Sequence, residues 1–251
     1  MTKPLTAIAH ERIADSLPPA CSAIDATAGN GHDTLFLAHG VGPHGSVLSI
    51  DIQSTAIEQT RRRLQQHGLL ERVALTEGDH RNMRDFVEQQ GLDNIRAVMF
   101  NLGYHPGGNK EMTTQAPSTL SAMAAAIDIL SANGGTLSVM AYRGHAGGAH
   151  EADEVKRFLE GTSKNLPGAI ICPGVEDAVN PPLEASWRHP WRHYLHTGAD
   201  DGTGEFFRGT LEREIATPQN ECKLDVIETQ SYNGPVLYLL SLNSNEERDN
   251  E

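Results

Sequence analysis

The chain has 251 residues, 38% hydrophobic and 5% aromatic, with 24 glycines; that length is ample for one α/β domain with a buried core and marginal for two. With 20 Lys and Arg against 33 Asp and Glu, the formal net charge is −13, which argues against non-specific nucleic-acid binding and requires any RNA partner to be met by a local basic patch. No run approaches the ~20 apolar residues that span a bilayer, Met1-Thr2-Lys3-Pro4 opens no secretory signal, and Cys21, Cys172 and Cys222 show no CxxC spacing, so a cytoplasmic protein with reduced thiols is expected.

Apolar positions at Leu5, Ile8, Ala9, Ile13 and Leu17 recur near helical spacing and predict a helix over 5–17, ended by Pro18-Pro19. Ala23-Ile24-Asp25 is a short buried strand leading into a Gly-rich turn, and Thr34 to His39 begins the next helix. A turn at Gly42–Gly45 precedes a strand over 46–51. Ser54 can cap a helix running through Leu64, with Glu58 and Arg62 paired at i, i+4. A strand over 73–76, a helix over 82–90, a strand over 97–100 and an Ala-rich helix over 116–131 follow. Gly134-Gly135 closes that helix, and a strand over 136–141 and a helix over 151–160 come next. From 162 to 221 the pattern breaks into a stretch rich in Pro, Gly, His and Trp with no clear period. Regularity returns in two strands, 224–228 and 236–242, joined by a turn at Asn233-Gly234-Pro235. The polar, acidic residues 243–251 read as a disordered tail.

Strands alternating with helices indicate an α/β, doubly wound, mostly parallel sheet covered on both faces. Right-handed crossovers put the C-terminal ends of the parallel strands on one edge, where ligands bind at the switch point. The expected organisation is one domain over 1–242 with an insertion at about 162–221.

Five segments follow strands and carry candidate chemistry. The first, Asp25-Ala26-Thr27-Ala28-Gly29-Asn30-Gly31-His32-Asp33, lies between a strand and a helix. Its glycines allow close backbone approach, and a helix N-terminus favours polar or anionic groups. A dinucleotide site wants G-x-G-x-x-G, but the third position here is Thr34. A carboxylate at the strand end, Asp25, suits a cationic ligand, and S-adenosylmethionine carries a sulfonium and an ammonium. The second is Asp51 at the end of the second strand, which either accepts from both ribose hydroxyls or is a solvated strand-end acid. In the third, Asp79 and His80 stand where an adenine would lie; Asp79 either accepts from the exocyclic amine or caps the following helix.

The fourth segment is Phe100-Asn101-Leu102-Gly103-Tyr104-His105-Pro106-Gly107-Gly108-Asn109-Lys110. An Asn side chain and a backbone carbonyl can accept hydrogen bonds from an amine while an aromatic ring holds a planar base. Asn101 and Tyr104 resemble the Asn and Tyr of the N-P-P-Y loop of amino-methylating enzymes, without its prolines. The fifth, Tyr142 to Gly148, contains His145, either a general base with an ordinary pKa near neutral or a structural histidine. The closing antiparallel hairpin further separates the methyltransferase version of this fold from the dinucleotide version.

Together, Asp25–Thr34, Phe100–Lys110 and Gly144-His145 with the following Gly pair resemble the bacterial family labelled "putative rRNA methylase". The resemblance covers residues 1–160 well and 223–242 loosely. It implies a Rossmann-like, class I S-adenosylmethionine-dependent methyltransferase acting on the 5-aminomethyl group of 2-thiouridine at the tRNA wobble position, in the anticodon stem-loop. It implies that Asn30, His32, Asp33, Asp51 and Gln53 touch the cofactor; Asp25, Thr27, Gly29, Gly31, Asp79 and His80 join them as cofactor candidates by their place in the strand-end segments. It places Leu102, Gly103, His105, Pro106 and Lys110, with His145, beside the target amine, and it suggests a homodimer. No metal is required.

The chain is longer than is usual for that family and more acidic than a tRNA enzyme would suggest. The segment Trp187 to His196 holds two Trp, two Arg, three His and a Tyr and no acid. Either Trp187, Arg188, Trp191 and Arg192 clamp RNA by stacking and phosphate contacts, or these aromatics pack the insertion onto the core. Methylation of rRNA, a small molecule or a protein stands as the alternative. An NAD-dependent oxidoreductase is disfavoured by Thr34 and the hairpin, and a non-catalytic nucleoside-binding module leaves the Asn101 loop without a purpose.

Overall fold

The computed structural model describes residues 3–103, 113–165, 222–228 and 234–242. A seven-stranded sheet forms from β1 (Ser22–Asp25), β2 (Ser46–Asp51), β3 (Val73–Glu77), β4 (Ile95–Leu102), β5 (Gly135–Ala141), β6 (Cys222–Glu228) and β7 (Val236–Leu242), in the order β3-β2-β1-β4-β5-β7-β6. The first five strands are parallel. β7 slots antiparallel between β5 and β6, and the register pairs Gly135 with Leu242 and Cys222 with Leu242. The doubly wound order and the closing antiparallel pair are those expected from the sequence.

Helices cover both faces. Ala9 and Ile13 of α1 (Leu5–Ala14), Leu37 and Ala38 of α2 (His32–Gly40) and Leu64 of α3 (Ser54–Gln66) form one apolar layer with Ala23, Val47 and Met99. On the other face, α4 (Met83–Gln90), α5 (Ala116–Asn133) and α6 (Gly148–Asn165) pack Met83, Leu120, Ile127, Phe158 and Leu159 against Ile24, Val98 and Leu137. The central strands are buried on both faces, which is why they read as apolar runs rather than alternating ones. Among the described residues no helix is long and apolar enough to cross a membrane.

Several boundaries differ from the sequence reading. The first helix stops at Ala14, not Leu17, because Ser16 and Leu17 close tight turns onto Ile13 and Ala14 carbonyls. α2 starts two residues early, at His32, since Gly31 enters it with φ +74°. Residues His80–Asn82 form a 3-10 turn before α4. α6 runs from Gly148 to Asn165, so residues 162–165, expected to open the insertion, continue the helix. The rest of that expected insertion and the expected tail lie outside the described residues.

Candidate active site

The C-terminal ends of β1 to β5 surround a cavity of about 850 Å³. Its floor is built where the strands separate. Beyond β1, the Ala26 N–H still donates to Met99 O on β4 (2.9 Å) and the Ala28 N–H to Ile50 O on β2 (2.8 Å). The Gly-rich turn is thereby held at the point where neighbouring strands diverge. The Gly29 N–H donates to Asp51 Oδ2 and the Gln53 N–H to Asp51 Oδ1, both at 2.9 Å. A carboxylate offers about four acceptor positions, so Asp51 ties two loops together and keeps capacity for the hydroxyls of a ribose. Arg63 of α3 supports the same turn, donating from Nε to Asn30 O at 2.7 Å and lying 3.2 Å from His32 Nε2. Burial and that guanidinium hold the His32 imidazole below its ordinary range.

Two residues expected to touch the cofactor stand elsewhere. Asp25 is fully buried and absent from the cavity wall; it accepts from the Thr34 hydroxyl (2.5 Å) and the Thr27 N–H (3.1 Å). Burial, reinforced by the charge of Asp33, pushes its carboxyl up to about 7. It is therefore a structural acid beneath the turn. Gly31 also lies off the wall: a Cβ there would meet Thr60 at 2.8–3.0 Å, so its place is close helix packing. Thr27, Gly29, Asn30, His32, Asp33, Asp51, Gln53, Asp79 and His80 do line the cavity.

Asp79 faces the cavity and caps the 3-10 turn His80–Asn82 rather than α4, whose N-cap is Asn82. It accepts from the Arg81 N–H at 2.9 Å, Arg81 Nε at 2.7 Å and the Ser118 hydroxyl. Burial raises this carboxyl, but those bonds outweigh it and leave it below the usual range. His80 is buried, and burial pushes its imidazole below the ordinary range despite neighbouring Asp79. It stands edge-on to Phe100 at 5.7 Å.

At the end of β4, the Asn101 N–H donates to Thr27 Oγ1 at 2.7 Å, and its side-chain amide donates to Asp33 Oδ2. Leu102 and Gly103 also reach the cavity, though the Leu102 side chain sits mostly in the core. The Thr114 N–H donates to Gly103 O at 2.9 Å, which ties together the two ends of the segment between them. His145 lines the cavity beside Gly103 and Gly148, its Nδ1 3.1 Å from Ala146 O; a Cβ on Gly148 would come within 2.6 Å of its Nε2. Tyr104, His105, Pro106, Lys110, Trp187, Arg188, Trp191 and Arg192 lie outside the described residues.

Sequence reasoning assigned no site role to Thr6 and His10 of α1, Ile52, Arg81, Thr114, Ser118 or Tyr142, all of which line the cavity. Tyr142 belongs to a segment already singled out, and burial with the nearby Asp33 charge raises its phenol. Nothing in the local pattern of α1 marks His10, since only packing of the helix across β5 and β7 brings it to the edge of the sheet.

The family described as "Putative rRNA methylase" matches residues 47–184, more than half of the chain. The chain belongs to this family. The match begins in β2, so α1 and the Gly-rich turn precede it. Among relatives of the rRNA-methylase family chain, the Arabidopsis thaliana protein named tRNA (mnm(5)s(2)U34)-methyltransferase, chloroplastic, is 40% identical over 167 residues, 63% of this chain and 60% of that protein. The chain thus spans about 60% of that curated relative. A crystal structure of a "putative rRNA-methylase" from Clostridium thermocellum is 25% identical, with a TM-score of 0.66, covering 97% of this chain and all of that one. A Streptococcus mutans methyltransferase solved in complex with SAH, 24% identical over 97% of this chain and 100% of that one, shares the fold with a TM-score of 0.63.

Proposed function

We propose that this protein is an S-adenosylmethionine-dependent N-methyltransferase whose acceptor is the 5-aminomethyl group of the wobble uridine in the tRNA anticodon stem-loop. The observation that carries this reading is Asn101, set at the cavity end of β4 with its carboxamide anchored by a carboxylate. The name of the Arabidopsis relative, at 40% identity, supplies the acceptor class. The cavity's size is within the range that encloses a nucleoside-sized ligand. Its donor and acceptor set also suits the methyl donor: Asp51 for ribose hydroxyls, the Gly29–Asn30 turn for the amino-acid portion, and Ile52, Asp79 and His80 around the base. When bound, the sulfonium of that cofactor supplies an electrophilic methyl group.

The chain's own residues then orient and deprotonate. Asn101 Oδ1 accepts an N–H of the incoming amine and turns its lone pair in line with the reacting carbon. His145 or a water takes the proton that the amine must lose. We include the homodimer suggested by the family resemblance in this proposal; sedimentation velocity checks it. The reading also carries the cytoplasm expected from the sequence as the compartment of the reaction; cell fractionation with activity assay checks it.

The deciding experiment incubates the protein with labelled cofactor and bulk tRNA lacking the wobble methyl, followed by nucleoside mass analysis. Methylaminomethyl-thiouridine is expected with wild type. Asn101→Ala should lower kcat by about 100-fold, the scale of a lost positioning contact, with cofactor affinity retained. Cofactor binding without a tRNA product would overturn the acceptor assignment and leave the fold untouched.

A further inference from the structure

The wall of the cavity nearest α1 brings together three side chains from three elements. His10 Nε2 of α1 lies 2.6 Å from Asp33 Oδ1 of α2, and Asn101 Nδ2 at the end of β4 donates to Asp33 Oδ2. A carboxylate only accepts, so His10 carries its hydrogen on Nε2 and one carboxylate receives a donor on each oxygen. The imidazole lies flat on Phe36, with ring centroids 4.0 Å apart and planes 2° from parallel. α2 therefore holds His10 twice, by Phe36 and by Asp33. The Asp33 side chain is only 12% exposed, which strengthens both hydrogen bonds.

The orientation of a carboxamide follows from its partners. With Asp33 accepting, Asn101 must turn its NH2 toward α2. Its Oδ1 is then directed away from that carboxylate. The reversed amide would set an oxygen against Asp33 and present NH2 to an amine that itself needs an acceptor. The main chain of Asn101 is fixed separately through Thr27, so the Asp33 contact acts on the side chain.

We propose that His10 and Asp33 are positioning residues, a relay from α1 through α2 that locks the Asn101 carboxamide with Oδ1 as the acceptor for the methyl-accepting amine. Asp33 thereby acts through Asn101 rather than as a cofactor ligand. This inference rests on the amine-methylation reading above, and its test has an arm independent of that reading.

The first arm uses no substrate. In the ¹⁵N-labelled full chain, the Asn101 side-chain NH2 pair is identified by its loss in Asn101→Ala. It is expected to shift in Asp33→Asn and in His10→Ala, and to keep its wild-type position in His10→Gln, whose amide can still donate to Asp33. The second arm measures tRNA methylation at saturating cofactor, with cofactor Kd alongside. Asp33→Asn should lower kcat by about 100-fold and His10→Ala by about 10-fold, the range for a misplaced reacting group, while His10→Gln recovers to within about threefold. Cofactor Kd should change by less than about threefold in all of them.

An NH2 pair unmoved by Asp33→Asn or His10→Ala overturns the relay. So does a Gln variant as impaired as the Ala variant. A cofactor Kd weakened about 10-fold in Asp33→Asn with kcat intact would make Asp33 a cofactor ligand. Wild-type protein that leaves tRNA unmethylated sinks the acceptor reading instead, and the amide spectrum tells that failure apart from failure of the relay.

Discussion

Asp25 and Asp51 end adjacent parallel strands, yet they do opposite work. Asp51 caps two loops at the cavity and stays in reach of a ligand. Asp25 ends the central strand, is covered by Thr34 of α2, and is pushed up to about 7 by burial and by Asp33. Its pKa is thus higher folded than unfolded, where a free carboxyl titrates near 4. Between those values the folded state binds more protons, so this group's contribution is greatest at acid pH and is lost as pH rises through about 7. Asp25→Asn should remove that slope. The Thr34 hydroxyl, 2.8 Å from Ser49 Oγ, can turn to donate there and accept from the new amide. In thermal melts at pH 5 and pH 8, wild type is expected to lose more Tm than the variant across the window; parallel losses would show Asp25 to be ionised throughout. Both acids were legible as strand-end carboxylates. Their accessibility was not, because it depends on which helix covers the strand.

At the scale of elements, Glu151 couples two of the loops that frame the site. It sits in the first turn of α6, 3% exposed, and accepts from the Thr114 hydroxyl at 2.6 Å and the Thr119 hydroxyl at 2.7 Å. The Thr114 N–H also closes onto Gly103 O. One buried carboxylate therefore joins the start of α6 to the return of the β4 loop and the first turn of α5. Glu151→Ala leaves two hydroxyls without their acceptor and should destabilise the protein by about 1–3 kcal/mol in urea unfolding. It should also raise KM for tRNA while sparing cofactor affinity, since Asp51 and Asp79, proposed to hold the cofactor, accept from Gly29, Gln53, Arg81 and Ser118, a set separate from the Thr114 and Thr119 donors of Glu151. An unchanged KM would separate this clasp from the substrate side. The sequence marks Glu151 only as the start of a predicted helix; its partners lie 32 and 37 residues away.

For the whole molecule, charge is unevenly spread. Residues 1–165 hold 14 of the 20 Lys and Arg and 18 of the 33 Asp and Glu, so most of the net negative charge belongs to the remainder. The part that forms most of the sheet and the cavity is thus much less hostile to a polyanion than the total of −13 suggests. Recognition through few phosphate contacts should give a shallow salt dependence. We expect log K for tRNA against log salt to fall with a slope smaller than about 4 in magnitude, and Arg188→Gln with Arg192→Gln to flatten it by roughly one unit per residue. An unchanged slope would assign Trp187 to His196 to packing instead.

The alternation of strands and helices, the closing antiparallel pair and the Gly-rich turn could all be read along the chain, because each depends on neighbours within a few residues. Asn101 was legible as a cavity residue for the same reason: an Asn closing a buried strand ahead of a Gly-rich stretch points to one place in this topology, although β4 runs on through it to Leu102. Tertiary structure alone decided that α1 contributes His10 to the cavity wall, that Asp25 and Gly31 serve packing, and that Asp33 receives a donor on each oxygen. Those outcomes depend on how helices lie across the sheet. His10 and Asp33 are 23 positions apart, and Asp33 and Asn101 are 68. No local periodicity spans such distances, so their meeting is a property of the packed layers.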